Sequence, residues 1–149
     1  MLPLARENSR SDAQETVERY LYGLVQDWLG VELKANPHIA VGDTYMCPDF
    51  FSREHSIVGE IFGHIGKNKK AQDNKIANDI LRMLLLEKKH GKQYRKIIVV
   101  VDYEEEQELT GKSLLSESIR EFGVEIRRFD IPDELRELVK AAQKKQSLI

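Results

Sequence analysis

The beginning of the chain carries the pattern of an amphipathic helix. From Ser11 to Leu29 apolar side chains recur at the i, i+3, i+4, i+7 spacing of one helix face, at Val17, Tyr20, Leu21, Leu24, Val25 and Trp28. Gly30 follows, and glycine commonly ends a helix because it adopts the left-handed conformation easily. The pattern predicts a first helix over residues 11–29.

Three short segments after Pro37 are rich in residues that favour strands. They are His38–Gly42, Tyr45–Phe51 and Ser56–Ile65, and turn-forming residues separate them. In the third segment Glu60, Phe62 and His64 share one face, because strand side chains alternate between faces. We expect the three segments to form a small meander.

The second half of the chain alternates between helix and strand patterns. Helices are predicted over 70–89, over 113–122 and after Ile131-Pro132, with a buried strand over 96–102 and another strand over 124–129. Helices that connect strands in this way bury both faces of a sheet. The order predicts an α/β fold with a mixed central sheet flanked by helices. We expect one domain over residues 1–149, with frayed ends at 1–10 and 145–149.

Composition is that of a soluble globular protein. Of the 149 residues, 41% are hydrophobic and 32% are charged. The longest apolar run, Ile97–Val101, is far shorter than the ~20 residues of a membrane-spanning helix. A single cysteine, Cys47, excludes an intramolecular disulfide. A cytoplasmic protein with no membrane partner is expected.

Charge is nearly balanced overall but uneven along the chain. The net charge is −2 and the isoelectric point is about 6.1, so a surface for nucleic acid must be a local patch. Lys67, Lys69, Lys70 and Lys75 lie within one short stretch. These lysines are candidates for contacts with phosphates, with a solvated surface as the ordinary alternative. Four glutamates between residues 104 and 108 indicate a solvated acidic loop.

Two acidic residues stand on neighbouring predicted strands. Pro48-Asp49 lies on the second, Glu60-Ile61-Phe62 lies on the third, and a helix begins near Gln72. Over roughly residues 11–102 this arrangement resembles the PD-(D/E)xK, or restriction-endonuclease-like, nuclease superfamily. The resemblance implies an αβββαβ core in which Asp49, Glu60 and the backbone carbonyl of Ile61 hold Mg²⁺ or Mn²⁺. It also implies metal-dependent hydrolysis of phosphodiester bonds, with DNA as the expected substrate.

The chain departs from the family pattern at Phe62, where the motif has its lysine. In some members the lysine comes from the following helix, which makes Lys75 the first substitute. Gln72 is three residues before it and lies on the same side of that helix. His64 lies on the same strand face as Glu60 and is the second candidate to replace the motif lysine. The family often adds an acidic residue from the first helix, where Glu18 borders the apolar stripe.

Three functions are open at this point. The first is a metal-dependent nuclease, which would need a second copy or a partner protein to grip a duplex. The second is an inactive domain of the same fold that binds nucleic acid or protein, which Phe62 favours. The third is a different α/β fold with a small-molecule site, which the lack of a glycine-rich phosphate loop, Walker motif and nucleophile elbow disfavours. The ordinary alternatives for the acidic residues are a turn aspartate and a solvated or paired strand glutamate.

Overall fold

The structure is a computed structural model that describes the backbone of residues 2–147 and the side chains of residues 12–145. The helices in this part of the chain are α1 Leu2–Leu29, α2 Lys70–His90, α3 Tyr103–Leu109, α4 Leu114–Glu121 and α5 Asp133–Ser147. The strands are β1 Lys34–Ala35, β2 Ile39–Val41, β3 Thr44–Met46, β4 Phe50–Ser52, β5 Ile57–Phe62, β6 Arg95–Val100 and β7 Val124–Arg128. None of the described helices is both long and apolar enough to cross a membrane. The predicted fraying of residues 1–10 and 145–149 falls largely outside the described side chains and stays a prediction.

A mixed five-stranded sheet forms the centre of the fold, in the order β1-β4-β5-β6-β7. Its first three strands in this order are antiparallel neighbours, whereas β5, β6 and β7 run parallel and are connected through helices. β2 and β3 form a separate two-stranded hairpin. The predicted α/β class and the mixed sheet flanked by helices are confirmed.

Helices cover both faces of the sheet because its central strands are apolar on both sides. On one face Leu21 of α1 and Val139 of α5 belong to the core cluster that includes residues of β5 and β6. On the other face Ile76 and Met83 of α2 pack with the same two strands, together with α4 and the hairpin. β6 is buried throughout except at Arg95, as its continuous apolar pattern predicts.

The contact between β4 and β5 depends on a glycine. Phe50 of β4 is fully buried and pairs with Gly59 of β5. A Cβ atom added to Gly59 would lie 1.9 Å from Cζ of the Phe50 ring, far inside van der Waals contact. The missing side chain therefore gives the ring its space against β5, one residue away from Asp49.

Three predicted strands differ from the observed ones. The segment Tyr45–Phe51 is divided between β3 and β4, because Pro48 has no amide hydrogen to donate to a sheet. The segment His38–Gly42 contains β2, which pairs with β3 instead of joining the central sheet. The first strand of that sheet is the two-residue β1, which is too short to show a pattern. The third predicted strand ends at Phe62 and not at Ile65.

The acidic stretch after β6 forms the helix α3, so the prediction of a solvated loop is wrong there. Glu105 in this helix is fully buried, and Asn68 Nδ2 donates a 2.7 Å hydrogen bond to its carboxylate. Leu109 is the other buried residue of α3. The buried side of the helix consists of one carboxylate and one leucine, and a hydrophobic pattern cannot reveal it.

Candidate functional site

Asp49 and Glu60 are neighbours across the β4–β5 pair. Asp49 directly precedes β4, and the antiparallel register that pairs Phe50 with Gly59 brings Asp49 opposite Glu60. Oδ2 of Asp49 accepts a 2.7 Å hydrogen bond from the backbone N–H of Ile61. This bond holds the Asp49 side chain against the strand that carries Glu60. The two acidic residues of the motif thus lie together, although Asp49 stands in the bend before its strand.

The carboxyl group of Glu60 keeps its proton at neutral pH. Burial is the largest cause that raises its pKa, and the charges of Asp49 and Asp79 and a hydrogen bond with Asp49 raise it further, to about 9. The charge of Lys75 acts in the opposite direction but is the smallest of these effects. Two adjacent carboxyl groups with one cation nearby form a site that a further positive charge would stabilise.

Glu18 approaches the acidic pair from α1. Its pKa is raised, first by burial and then by the charge of Asp49, while a hydrogen bond from Gln14 and the charge of Lys75 lower it. Gln14 Nε2 donates this bond to Glu18 Oε1 over 3.1 Å. Because the charges of Asp49 and Lys75 both act on Glu18, the structure brings this predicted residue close to the pair.

Lys75 lies against the residue that replaces the motif lysine. Its Nζ atom is 5.9 Å from the centre of the Phe62 ring and 3.0 Å from Oδ2 of Asp79. Its charge also lowers the pKa of both glutamates of the site. The ammonium group of Lys75 is therefore close to the acidic residues, and Asp79 holds it there.

Asp79 belongs to this site although the motif does not include it. It is only 4% exposed, it pairs with Lys75, and Arg82 Nη1 approaches its second oxygen at 3.5 Å. On α2 it stands between the buried Ile76 and Met83. An aspartate within an apolar helical stripe, four residues after a lysine, is the sequence signal that could have identified it.

His64 contacts α3. Its Nδ1 lies 3.5 Å from Oε2 of the buried Glu105, and its ring stacks on Phe62 with ring centres 5.5 Å apart. Within residues 12–145 neither of those two polar atoms makes a hydrogen bond of good geometry, so the contact is electrostatic. His64 lines the same cavity as Glu18, but its contacts are those of a packing residue.

The loop between β5 and α2 and the first turn of α2 carry the remaining predicted residues. Three lysines there have exposed side chains: Lys67, Lys69 and Lys70. The loop backbone is tied down, since Gly66 N–H donates a 3.0 Å bond to Asp102 Oδ2. Gln72 Oε1 accepts a 2.7 Å bond from the Lys69 N–H, which is a helix-capping role. Lys67 and Lys69 therefore lie on a hydrogen-bonded loop, and Lys70 begins α2.

Three depressions of the described surface reach the acidic residues. One of about 270 Å³ is lined by Glu18, Ile61 and Lys75. A groove of about 600 Å³ between the hairpin and α2 reaches Glu60. A third, of about 230 Å³, reaches Asp49. The acidic pair can thus be approached by solvent and by ligands.

The donor atoms at the pair suit a hard divalent cation. Asp49, Glu60 and the backbone carbonyl of Ile61 offer oxygen atoms, which Mg²⁺ and Mn²⁺ prefer. Among the described residues no three His, Cys, Asp or Glu side chains form a complete metal cage. Mg²⁺ is commonly held by one or two carboxylates with water as its other ligands, so a pair is sufficient for it.

No protein-family model, no curated protein and no solved structure matches this chain. Function is therefore inferred from the acidic pair, from Lys75 and from the surfaces around them.

Proposed function

We propose that the protein is a Mg²⁺- or Mn²⁺-dependent nuclease of the PD-(D/E)xK kind, with DNA as its first expected substrate. The observation that carries this proposal is the Asp49–Glu60 pair, which the strand register brings together and in which burial and acidic neighbours raise the pKa of Glu60. Burying one carboxyl beside another destabilises a fold. Arrangements of this kind cluster at sites where a ligand provides the missing charge.

The order and direction of the elements support the same family. The helix α1 is followed by the antiparallel strands β1, β4 and β5, then by α2 and by β6 parallel to β5. This is the αβββαβ order that the resemblance implies, with the β2–β3 hairpin inserted between its first two strands. Asp49 then directly precedes the second of these strands, and Glu60 lies on the third.

In this proposal Asp49, Glu60 and the carbonyl of Ile61 would hold the cation, and Glu60 would release its proton to solvent on binding it. The bound cation would acidify a water molecule and stabilise negative charge on the phosphate. Lys75, held by Asp79, donates a hydrogen bond to the attacking water or to the phosphate, which Phe62 cannot do.

Other predicted residues extend the site. Glu18 adds a third carboxylate on the α1 side, where it can accept a proton or orient water. The exposed lysines at positions 67, 69 and 70 neutralise phosphates next to the site. A second copy of the chain or a partner protein would complete the grip on a duplex.

The proposal is tested by incubating single-stranded and duplex DNA with Mg²⁺ or Mn²⁺ and measuring cleavage. Asp49→Asn and Glu60→Gln should abolish cleavage, and Lys75→Met should slow it roughly 100-fold. Asp27→Asn and Glu54→Gln, at exposed positions, are matched controls that should cleave like the parent protein. Equal cleavage by Asp49→Asn, Glu60→Gln and the parent protein, purified identically, would contradict the proposal.

An inactive binding domain of the same fold is the second candidate, and Phe62 favours it. Phe62 is only 6% exposed and has no amine to replace the motif lysine. The ammonium group of Lys75 is already paired with Asp79. This function predicts that DNA is retarded in a gel shift but stays intact in Mg²⁺ and in Mn²⁺. Retardation without cleavage would replace the first proposal by this one.

A further inference from the structure

A groove leads away from Glu60 between the β2–β3 hairpin and α2. Its volume is about 600 Å³, and Tyr45, Arg82 and Leu85 line it together with Glu60. Asp49 and Ile61 are not among its lining residues, so the groove extends from the Glu60 side of the acidic pair.

Tyr45 lines this groove and carries an exposed aromatic ring. Its side chain is 60% exposed, and its ring stacks on His38 with centres 4.7 Å apart and an angle of 11° between the rings. Because His38 covers one face of the ring, the exposed surface includes the opposite face. Orientation by His38 reduces the entropy that the ring would lose when a flat ligand stacks on it.

Arg82 and Leu85 provide a different chemistry on α2. The Arg82 side chain is 62% exposed, and Nη1 meets Oδ1 of Asp79 at 3.5 Å, the long end of an ion pair. A guanidinium group has five N–H donors, so this contact leaves donors for a phosphate. Leu85 is 42% exposed and adds apolar surface one turn further along the helix.

An aromatic face, a guanidinium group and an apolar side chain together match a nucleotide. We propose that the groove binds an unpaired segment of the nucleic-acid substrate, with a base stacked on Tyr45 and a neighbouring phosphate paired with Arg82. This inference rests on the proposed function for the chemistry of its ligand. Bases in a duplex are stacked on one another and offer only their edges, so an open ring face selects a single strand. The site would then cut within, or at the border of, unpaired regions.

The inference is tested by binding, with Ca²⁺ in place of Mg²⁺ to suppress hydrolysis. A single-stranded oligonucleotide that contains 2-aminopurine should bind with quenched fluorescence, because stacking on an aromatic ring quenches this base. Tyr45→Ala should weaken binding roughly 5- to 150-fold and remove the quenching, whereas Tyr45→Phe should preserve both. Tyr103→Ala is the matched control, since Tyr103 is 61% exposed on α3.

Salt dependence tests the phosphate contact separately. Arg82→Gln should lower the slope of log affinity against log salt by about 0.7, the value for one phosphate contact on a single strand. Arg120→Gln, on the exposed side of α4, should leave the slope unchanged. An unchanged slope in Arg82→Gln would remove Arg82 from the proposal.

The experiments distinguish failure of the proposed binding groove from failure of the proposed nuclease function. Tyr45-dependent binding to single strands without any cleavage would refute the nuclease and support the groove. Cleavage that requires Asp49 but is identical in Tyr45→Ala would support the nuclease and overturn the groove. Equal affinity of the parent protein and Tyr45→Ala for the single strand, or tighter binding of the duplex than of the single strand, would also overturn it.

Discussion

A buried carboxylate, Asp102, and a half-buried one, Glu60, have opposite electrostatic surroundings. Asp102 follows β6, and its two oxygens accept 3.0 Å hydrogen bonds from Arg136 Nη2 and from the N–H of Gly66. Burial raises the pKa of Asp102, but these partners outweigh burial and the pKa is lowered. At Glu60 burial acts with further acidic groups, and the pKa rises to about 9.

The difference separates a structural role from a functional one. Asp102 connects the loop after β5 to α5, and its charge is satisfied by the fold itself. Among the side chains that the structure describes, Glu60 has no comparable set of donors, so this part of the fold carries an uncompensated acid at the end of the groove. A carboxylate with partners stabilises the protein, whereas one beside another carboxylate prepares it for a cation.

The largest expected effect is the loss of stability when Asp102 is removed. Asp102→Ala should destabilise the protein by about 3–5 kcal/mol, because it leaves Arg136 and the Gly66 N–H without their partner. Urea unfolding followed by circular dichroism measures this loss. The exposed Asp27→Ala is the control and should change stability by about 0.5 kcal/mol or less.

The contribution of Asp102 to stability should depend on pH in the acid range. Because its folded pKa is lowered, its contribution is present above the pKa of the unfolded state and is lost as pH falls through the folded pKa. Asp102→Ala should therefore unfold with a weaker pH dependence at acid pH. The same acid dependence in both proteins would contradict the role of Asp102.

The next effect is the pH dependence of metal binding at Glu60. Below a pKa of about 9, a cation must displace the Glu60 proton, so Mn²⁺ affinity should rise about tenfold per pH unit. Calorimetry from pH 6 to pH 8, in buffers of different ionisation enthalpy, should show about 100-fold tighter binding and about one proton released. Affinity that does not change with pH would mean that Glu60 is not a ligand.

Gly59→Ala tests whether the acidic pair depends on close packing of β4 on β5. The new methyl group must displace the Phe50 ring, so we expect a loss of about 1–3 kcal/mol in unfolding free energy. Adding Phe50→Leu should restore part of it. Gly23→Ala, where a Cβ meets nothing within 4 Å, should instead stabilise α1 by about 0.5–1 kcal/mol. Equal effects of the two alanines would contradict the packing argument.

The last expected effect is the change of stability with pH at the acidic pair. Unfolded Glu60 ionises above its ordinary pKa near 4.5 while the folded protein keeps the proton, so the parent loses stability as pH rises from there toward 9. Glu60→Gln does not titrate, so its stability relative to the parent should rise by up to about 4 kcal/mol between pH 5 and pH 8. Thermal unfolding at the two pH values measures this, with Glu54→Gln as control. A gain that does not depend on pH would show that Glu60 is not held protonated.

Predictions from the sequence succeeded where one residue pattern dominates an element. The apolar run of β6 and the leucine-rich α2 correspond to the observed elements within a few residues. They failed where partners are distant in sequence, as in β1, and where a carboxylate is buried, as in α3. The motif also identified Asp49 and Glu60 as neighbours, but it did not include Asp79 or the groove at Tyr45.

The sequence by itself determined the α/β class, the buried parallel strand and the two acidic residues, because alternation, apolar runs and short motifs are local properties. Only the tertiary structure decided how the charges of those residues are compensated. The proton on Glu60, the position of Lys75 beside Phe62 and the open face of Tyr45 all depend on burial and on neighbours from other elements. Such effects arise from distances in space, which the spacing of residues along the chain does not contain.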